Sequence, residues 1–306
     1  MFLAGATDKK TFGCIYRSQD GKAWELVHKE TAKDNKERGA YGFFGFARGK
    51  GALVAVGGGD NISKGGNARM LTSKDGTKWD GPIWRFDNNG AMTCVAFGKE
   101  RFVSHGGEGP FAFFSTSTDG KSWSDPSKNR LEKWQGWEKM IRKIAYGNDV
   151  FVGIGATRRV VTSGDGLTWK DHPDPQRVRP PFVSLAFGNG LFVAGGMHGL
   201  RATSKDGESW DNVIKGEVGE HINEIIWTGR EFVALGIEVT YKSPNGVKWS
   251  KAISDVRPAR GCYGAGVFLC TNLRGTERYH SEDAIHWKSI PRIADCFFSG
   301  AFAYFD

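Results

Sequence analysis

The sequence lacks the features of a membrane-spanning or disulfide-bonded protein. No stretch of about 18 apolar residues is present, so nothing predicts a transmembrane helix. The five cysteines are an odd number, and none of them has the C-x-x-C spacing of a zinc or redox motif. A phosphate-binding loop and a Ser-His-Asp order are also missing. We therefore expect free thiols, no bound metal and no cofactor.

The chain starts with Met-Phe-Leu-Ala-Gly, which has no basic residues ahead of its short apolar run and so differs from a secretory signal peptide. Localisation stays open: secreted or periplasmic if a leader has been removed, and cytoplasmic otherwise. The net charge of +8 and the pI near 9.2 favour anionic partners. No nucleic-acid-binding motif accompanies this charge, so nucleic acid is not the expected partner.

A seven-residue pattern, S-x-D-G-x-x-W, recurs along the whole chain at spacings of 38 to 55 residues. Repeats of about this period are typical of propellers and solenoids. The sixth copy has Asn245 in the Asp position, and the seventh has Ala284 in the Gly position. The seven copies are Ser18 to Trp24, Ser73 to Trp79, Ser117 to Trp123, Ser163 to Trp169, Ser204 to Trp210, Ser243 to Trp249 and Ser281 to Trp287.

The chemistry of this motif predicts a β-hairpin end with a buried aromatic ring. Asp-Gly between apolar runs favours a primed turn, in which both central residues have positive φ. The Trp is expected to lie buried between neighbouring sheets. A second block, clearest in Ser184 to Gly195, places Asn-Gly between two apolar runs and predicts another hairpin before each motif. Each unit therefore contains four antiparallel strands, A to D, as in a propeller blade.

The two ends of the chain complement one another. Phe302 to Asp306 followed by Met1 to Gly5 matches the block from Leu185 to Gly195 with one turn residue missing. A C-terminal strand A would thus pair with an N-terminal strand B and close the ring, which removes exposed sheet edges. The sequence predicts an all-β, seven-bladed β-propeller of four-stranded antiparallel blades, a single domain over residues 1–306 and a monomer.

The motif resembles the Asp-box or BNR repeat of sialidase-like propellers, with one residue fewer between Asp and Trp than in the longer form. The resemblance covers the whole chain and implies propeller architecture, which hydrolases, lyases, lectins and scaffolding proteins share. The arginine-isoleucine-proline signature of sialidases is absent, the nearest string being Ile290 to Ile293. Sialidases also have six blades. The chain is loosely similar to seven-bladed photosystem assembly-factor propellers, which bind protein.

Topology places the variable D–A and B–C loops at one end of the ring, which we call the top face. Binding residues concentrate in such loops. Arginine occurs in six of the seven D–A loops, and converging guanidinium groups bind carboxylate, sulfate or phosphate. Arg201 and Arg278 add to them from B–C loops. The candidate ligand-binding residues are Arg38, Arg85, Arg142, Arg179, Arg260 and Arg292, with Trp134 and Trp137 for stacking on sugar rings.

Both sets also have a structural interpretation. The arginines would pair with nearby Asp and Glu on a solvated surface, where isolated ion pairs contribute little. The two tryptophans would hold a long loop against the blades. Candidate catalytic residues are His105, His198, His221 and Tyr41, which would act as acid and base beside an arginine-neutralised uronate.

Two classes of function follow from these residues. The first is binding of an anionic polysaccharide at the top of the channel, with polysaccharide lyase or glycoside hydrolase activity if the protein is an enzyme. The alternative is a non-catalytic interaction scaffold or assembly factor whose basic top face binds an acidic protein surface.

Overall fold

The structure is a computed structural model of the 306-residue chain. It describes residues 1–10, 12–31, 41–59, 66–86, 90–107, 112–125, 141–155, 159–172, 181–293, 295–298 and 300–306; within these, the side chains of residues 41, 66 and 83–86 are not described. Among the described residues, no helix has the length and apolar character needed to cross a membrane.

The chain forms seven antiparallel sheets, the seven blades of a closed β-propeller. Strand order follows the chain in blades 2 to 7, whereas blade 1 places the C-terminal strands β27 and β28 beside β1. Blade 1 contains the chain termini, and in blade 3 the described residues supply three strands. The predicted all-β, seven-bladed fold is confirmed.

The strands of blades 1 to 4 are, in chain order, β1 (Phe2–Asp8), β2 (Gly13–Ser18), β3 (Glu25–Lys29), β4 (Tyr41–Gly49), β5 (Ala52–Gly59), β6 (Gly66–Ser73), β7 (Ile83–Phe86), β8 (Met92–Gly98), β9 (Arg101–Gly106), β10 (Phe113–Ser117), β11 (Ile141–Gly147), β12 (Val150–Gly155), β13 (Val160–Ser163) and β14 (Lys170–His172). Those of blades 5 to 7 and the closing segment are β15 (Phe182–Gly188), β16 (Leu191–Gly196), β17 (Arg201–Ser204), β18 (Asp211–Ile214), β19 (Ile222–Trp227), β20 (Phe232–Gly236), β21 (Val239–Ser243), β22 (Ser250–Ile253), β23 (Arg260–Gly264), β24 (Val267–Thr271), β25 (Arg278–Ser281), β26 (Lys288–Ile290), β27 (Cys296–Phe297) and β28 (Phe302–Tyr304).

The ring closes within blade 1, as predicted. Its strand A is divided into β27 and β28, and both segments pair with β1. The terminal amine of Met1 donates to the carbonyl oxygen of Phe305 at 2.8 Å. The two chain ends therefore meet in one sheet, where burial lowers the pKa of the amine.

The repeated motif forms the turn between strands C and D. In six copies the Gly has φ between 72° and 80°, and Ala284 takes the same left-handed region with φ of 59°. The Asp residues do not have positive φ, so the expected primed turn is wrong for this motif. The Asp carboxylate instead accepts backbone N–H groups from the residues that follow it; at Asp119 the N–H groups of Ser122 and Lys121 lower the pKa to about 2. Primed geometry occurs in the A–B turns, for example at Asn189 and Gly190 with φ of 47° and 70°.

The motif tryptophans are less buried than predicted. Trp79 and Trp287 are buried, whereas the other five are partly exposed. In five copies, Trp79 among them, the indole N–H donates to the Gly carbonyl of its own turn at 2.9 to 3.1 Å. This bond ties the ring to the turn at the end of the blade, and the copies that make it differ in burial. Trp169 instead stacks on Phe114 of the preceding blade, with centroids 4.1 Å apart.

Apolar side chains from facing sheets fill the spaces between adjacent blades. Val56 of blade 2 and Phe102 of blade 3, for instance, belong to one buried cluster. The five cysteines are free thiols. Cys262 pairs with Leu269, so Cys270 lies on the other face of its sheet.

Candidate functional site

Two kinds of turn lie at the same end of the ring. The side chain of Asn148, in an A–B turn, donates to the carbonyl oxygens of Gly190 and Lys205 at 2.9 Å each. Gly190 belongs to the next A–B turn and Lys205 to a C–D turn. The D–A and B–C loops therefore lie at the opposite end, the top face, where the central channel opens between the inner strands.

Five inner strands contain a β-bulge near this opening. A bulge changes the direction in which side chains point. The residue after the bulge occupies an equivalent position in each of these blades. It lies three places before a Phe, Tyr or Trp near the end of the strand, except in blade 2, where Arg48 takes the place of that ring. Arg260 and Ala301 have the same position in blades 7 and 1. The register shifts lie between Phe43 and Gly45, Met92 and Cys94, Ile141 and Lys143, Phe182 and Ser184, and Ile222 and Glu224.

Three of these equivalent positions are joined by hydrogen bonds. The Glu224 carboxylate accepts two bonds from Lys143 Nζ, at 2.9 and 3.1 Å, and one from Ser184 Oγ at 2.9 Å. Ser184 Oγ in turn accepts the backbone N–H of Ile225 at 2.7 Å. The Glu224 side chain is only 9% exposed, so this network ties together blades 4, 5 and 6 beside the channel.

Two arginines adjoin this network. Burial lowers the pKa of Arg260; Glu224 opposes this shift, and the positive charge of Arg142 adds to it. In the described part of the chain, neither guanidinium makes a hydrogen bond or an ion pair with a protein group. We call Arg142, Lys143, Ser184, Glu224 and Arg260 the channel cluster. It holds three cationic groups and a single carboxylate.

At these equivalent positions of the described strands, the charged residues lie on one side of the channel. Blades 4, 6 and 7 provide the charged members of the channel cluster, whereas the equivalent positions in blades 1, 2 and 3 are Ala301, Gly45 and Cys94. The uncompensated charge is therefore concentrated on about half of the ring. An anion that enters the channel mouth is drawn towards this side.

The structure gives less information about the other predicted binding residues. Arg292 is exposed and pairs with Glu277 at 3.1 Å, which is the solvated ion pair of the structural interpretation. Arg85 lies in β7 and Tyr41 in β4, but their side chains are outside the described residues. Four further predicted residues lie outside the described ranges altogether: Arg38, Trp134, Trp137 and Arg179.

His105 is enclosed in blade 3. It has no exposed surface, its ring contacts Phe114 at 5.0 Å between centroids, and its Nε2 atom has no hydrogen-bond partner. Burial lowers its pKa to about 3, so the imidazole is neutral at physiological pH. In this arrangement His105 does not contact a ligand in the channel.

His198 and His221 lie together on the top face, between blades 5 and 6. Their ring centroids are 5.4 Å apart, and the backbone N–H of His198 donates to His221 Nδ1 at 3.3 Å. His198 has φ of 56°, the left-handed region that non-glycine residues seldom adopt. His105 is on a different blade, so the structure brings together only two of the three histidines.

Arg201 and Arg278, expected on the top surface, are instead buried between blades. The guanidinium of Arg201 lies 3.6 Å from the ring centroid of Tyr241, and that of Arg278 lies 4.4 Å from Phe298. Each arginine is the first residue of strand C and not part of the preceding loop. Stacking on aromatic rings explains how these charges are tolerated in the interior.

Sequence reasoning found Arg142 and Arg260 but missed Lys143, Ser184 and Glu224. Ser184 lies in the repeated apolar block, and Lys143 and Glu224 directly precede the corresponding blocks of their blades, outside the D–A loops. Their shared position in the repeat was the available signal, because a Lys and a Glu at equivalent places in neighbouring blades are candidates for an ion pair.

Comparison with known proteins identifies the fold. No protein-family model matches the chain, and no curated protein is detectably similar in sequence. Among solved structures, YCF48 from Cyanidioschyzon merolae is 14% identical, with a TM-score of 0.56 over 81% of this chain and 84% of that one. A structure of YCF48 bound to D1 peptide is 15% identical, with a TM-score of 0.56 over 81% of each chain. Saccharomyces cerevisiae Sqt1 is 12% identical, with a TM-score of 0.58 over 92% of this chain and 79% of that one. At these identities the similarity establishes the propeller fold alone.

Proposed function

We propose that this protein is a non-catalytic interaction scaffold that binds an acidic segment of a partner protein at the channel mouth. Arg142 and Arg260 are the anchoring residues. The observation that carries the proposal is the charge balance of the channel cluster: its one carboxylate, Glu224, is already bonded to Lys143 and Ser184, and neither guanidinium is paired with another described residue.

A bound carboxylate compensates the repulsion between like charges in this cluster. Arg142 and Arg260 repel each other, and burial removes part of the hydration of Arg260. A Glu or Asp side chain placed between them replaces that hydration with charge-assisted hydrogen bonds, and an Arg fork can bind both carboxylate oxygens. The predicted consequence is tight, salt-sensitive binding.

The comparisons support a peptide ligand. One similar propeller is a YCF48 molecule that holds a D1 peptide, so this architecture accommodates a bound peptide in that protein. An anionic polysaccharide offers the same carboxylate or sulfate chemistry and is the competing candidate. It is therefore included in the test.

The test compares two double variants that remove the same charge. Arg142→Ala with Arg260→Gln alters the channel cluster, whereas Lys74→Ala with Lys205→Ala removes two exposed lysines from C–D turns at the opposite end. A fluorescein-labelled peptide of alternating Glu and Gly is titrated and its anisotropy is measured. Loss of two charge-assisted contacts should weaken binding by at least about tenfold in the channel variant.

The lysine variant should bind the peptide nearly as the wild type does. Equal binding by the two variants would contradict the proposal. Binding of hyaluronate or heparin fragments without binding of the acidic peptide would show that the ligand of this site is a polysaccharide.

A further inference from the structure

Large apolar side chains are exposed mainly on the top face. Eight are exposed in the described part of the chain. Leu167 lies in a turn at the opposite end, Leu26 and Val213 lie on outer strands, and the remaining five belong to the top loops or the strand ends next to them. The five are Met197, Val218, Ile253, Leu273 and Phe297, of which Val218, Ile253 and Leu273 are 90%, 73% and 66% exposed.

Four of these side chains form a series over consecutive blades. Val218 lies in the loop between blades 5 and 6, Ile253 ends the outer strand of blade 6, Leu273 follows β24 of blade 7, and Phe297 lies in β27 of blade 1. We call these four the apolar band.

The loops that carry the band are held in place by hydrogen bonds and ion pairs. Next to Val218, the backbone N–H of Gly216 donates to the carbonyl of His198 at 2.8 Å. Lys251 contacts both Glu217 and Glu220, which fixes the same loop to β22. These contacts present Val218 on a defined surface.

The Leu273 and Phe297 segments are also joined to each other. The backbone N–H of Phe298 donates to the carbonyl of Gly275 at 2.8 Å, which links the B–C loop of blade 7 to strand A of blade 1. Buried neighbours support both segments, because Phe298 is fully buried beside Arg278.

The apolar band begins on the charged side of the channel, in blades 6 and 7, and continues into blade 1. Arg260 pairs with Thr271 in blade 7, and Leu273 is two residues further along the same strand direction. Ile253 belongs to the blade before Arg260, and Phe297 to the blade after it. A partner anchored at Arg260 therefore has apolar surface on either side of its anchor.

An exposed apolar group beside a charged site is typical of a protein interface, in which apolar anchors are surrounded by polar groups. Polysaccharide chains do not carry the aliphatic and aromatic side chains that would cover Val, Ile and Leu. Charge complementarity with the channel cluster specifies an acidic partner.

We propose that the apolar band is a second contact surface for the same partner, an acidic protein segment with apolar side chains next to its carboxylates. This inference rests on the proposed function and adds the class of sequence that the site prefers. The carboxylates bind Arg142 and Arg260, and the flanking apolar side chains cover Leu273, Phe297 and their neighbours.

The test uses two labelled peptides with the same number of Glu residues, each about 12 residues and about 40 Å long when extended. The first alternates Glu with Gly, and the second alternates Glu with Leu. The wild type should bind the Leu-containing peptide about tenfold more tightly, since burial of one apolar side chain has roughly this effect.

The band variant, Leu273→Gln with Phe297→Gln, should lose this preference and retain its affinity for the Glu-Gly peptide. The control, Leu26→Gln with Leu167→Gln, replaces two exposed leucines elsewhere and should behave as the wild type does. All four side chains are exposed, so folding is preserved. Circular dichroism confirms this for each variant.

Equal affinity of the wild type for the two peptides, or an unchanged preference in the band variant, would overturn the inference. Unchanged binding of the Glu-Gly peptide by the channel variant would instead refute the proposed function. If the wild type self-associates in analytical ultracentrifugation and the band variant is a monomer, the partner is a second copy of this chain and the inference is also wrong.

Discussion

Replacing Glu224 with Gln should lower stability and strengthen ligand binding at the same time. The substitution keeps the shape of the side chain but removes the one negative charge of the channel cluster. Lys143 donates two hydrogen bonds to the Glu224 carboxylate and Ser184 donates one, and in the variant these donors face a neutral amide. Hydrogen bonds to charged groups contribute about 1.5 to 3 kcal/mol. Because Lys143 is 30% exposed and regains hydration, we expect a loss of about 2 kcal/mol in the free energy of unfolding.

Ligand affinity should change in the opposite direction. The positive charges of Arg142, Lys143 and Arg260 are no longer partly compensated by the Glu224 carboxylate. Affinity for the Glu-Gly peptide should rise about threefold to tenfold. Urea unfolding monitored by tryptophan fluorescence gives the stability, and anisotropy gives the affinity. A Lys143→Met and Glu224→Gln double-mutant cycle should show a coupling of about 1 to 2 kcal/mol. Unchanged stability, or weaker binding by Glu224→Gln, would refute the assigned role of Glu224.

Three further predictions concern the blades. Backbone N–H groups lower the pKa of Asp119 to about 2. Its contribution to stability is therefore complete above the unfolded pKa near 4 and is lost as pH falls from about 4 to 2. In Asp119→Asn, the free energy of unfolding should depend less steeply on pH in this range. His105 is buried and neutral, with a pKa of about 3. The free energy of unfolding should therefore fall by about 3 kcal/mol between pH 7 and pH 4, because the unfolded state takes up a proton. Urea titrations of His105→Met should no longer show this pH dependence. Ala284→Gly should raise the melting temperature by relieving a left-handed backbone, a gain of about 0.5 to 1 kcal/mol, whereas Gly120→Ala should lower it, because Gly120 has φ of 75°.

The fold was largely predictable because each blade repeats the same local chemistry. Glycine at the C–D turn and two positive-φ residues at the A–B turn each predict a feature that depends on neighbouring residues alone. The pairing of the chain ends is a long-range contact, but the two ends together complete the repeated pattern and so predict it. The turn type at the motif was wrong because Asp uses its carboxylate as a hydrogen-bond acceptor and keeps an ordinary backbone.

The candidate site was less predictable because it depends on contacts between blades. The bulge before Lys143 and Glu224 changes which way their side chains point, and the strand pattern gives no sign of it. Arg201 was assigned to a loop because its partner, Tyr241, comes from a neighbouring blade 40 residues away in sequence. Arg142 and Arg260 were found because they lie next to loops whose position follows from topology.

The most direct test of the central claim is a crystal structure of the protein with the Glu-Leu peptide. A peptide carboxylate should lie within hydrogen-bond distance of the guanidinium groups of Arg142 and Arg260, with leucine side chains against Leu273 or Phe297. A peptide bound to an outer strand edge or to the turns at the opposite end, with the channel cluster open to solvent, would contradict it.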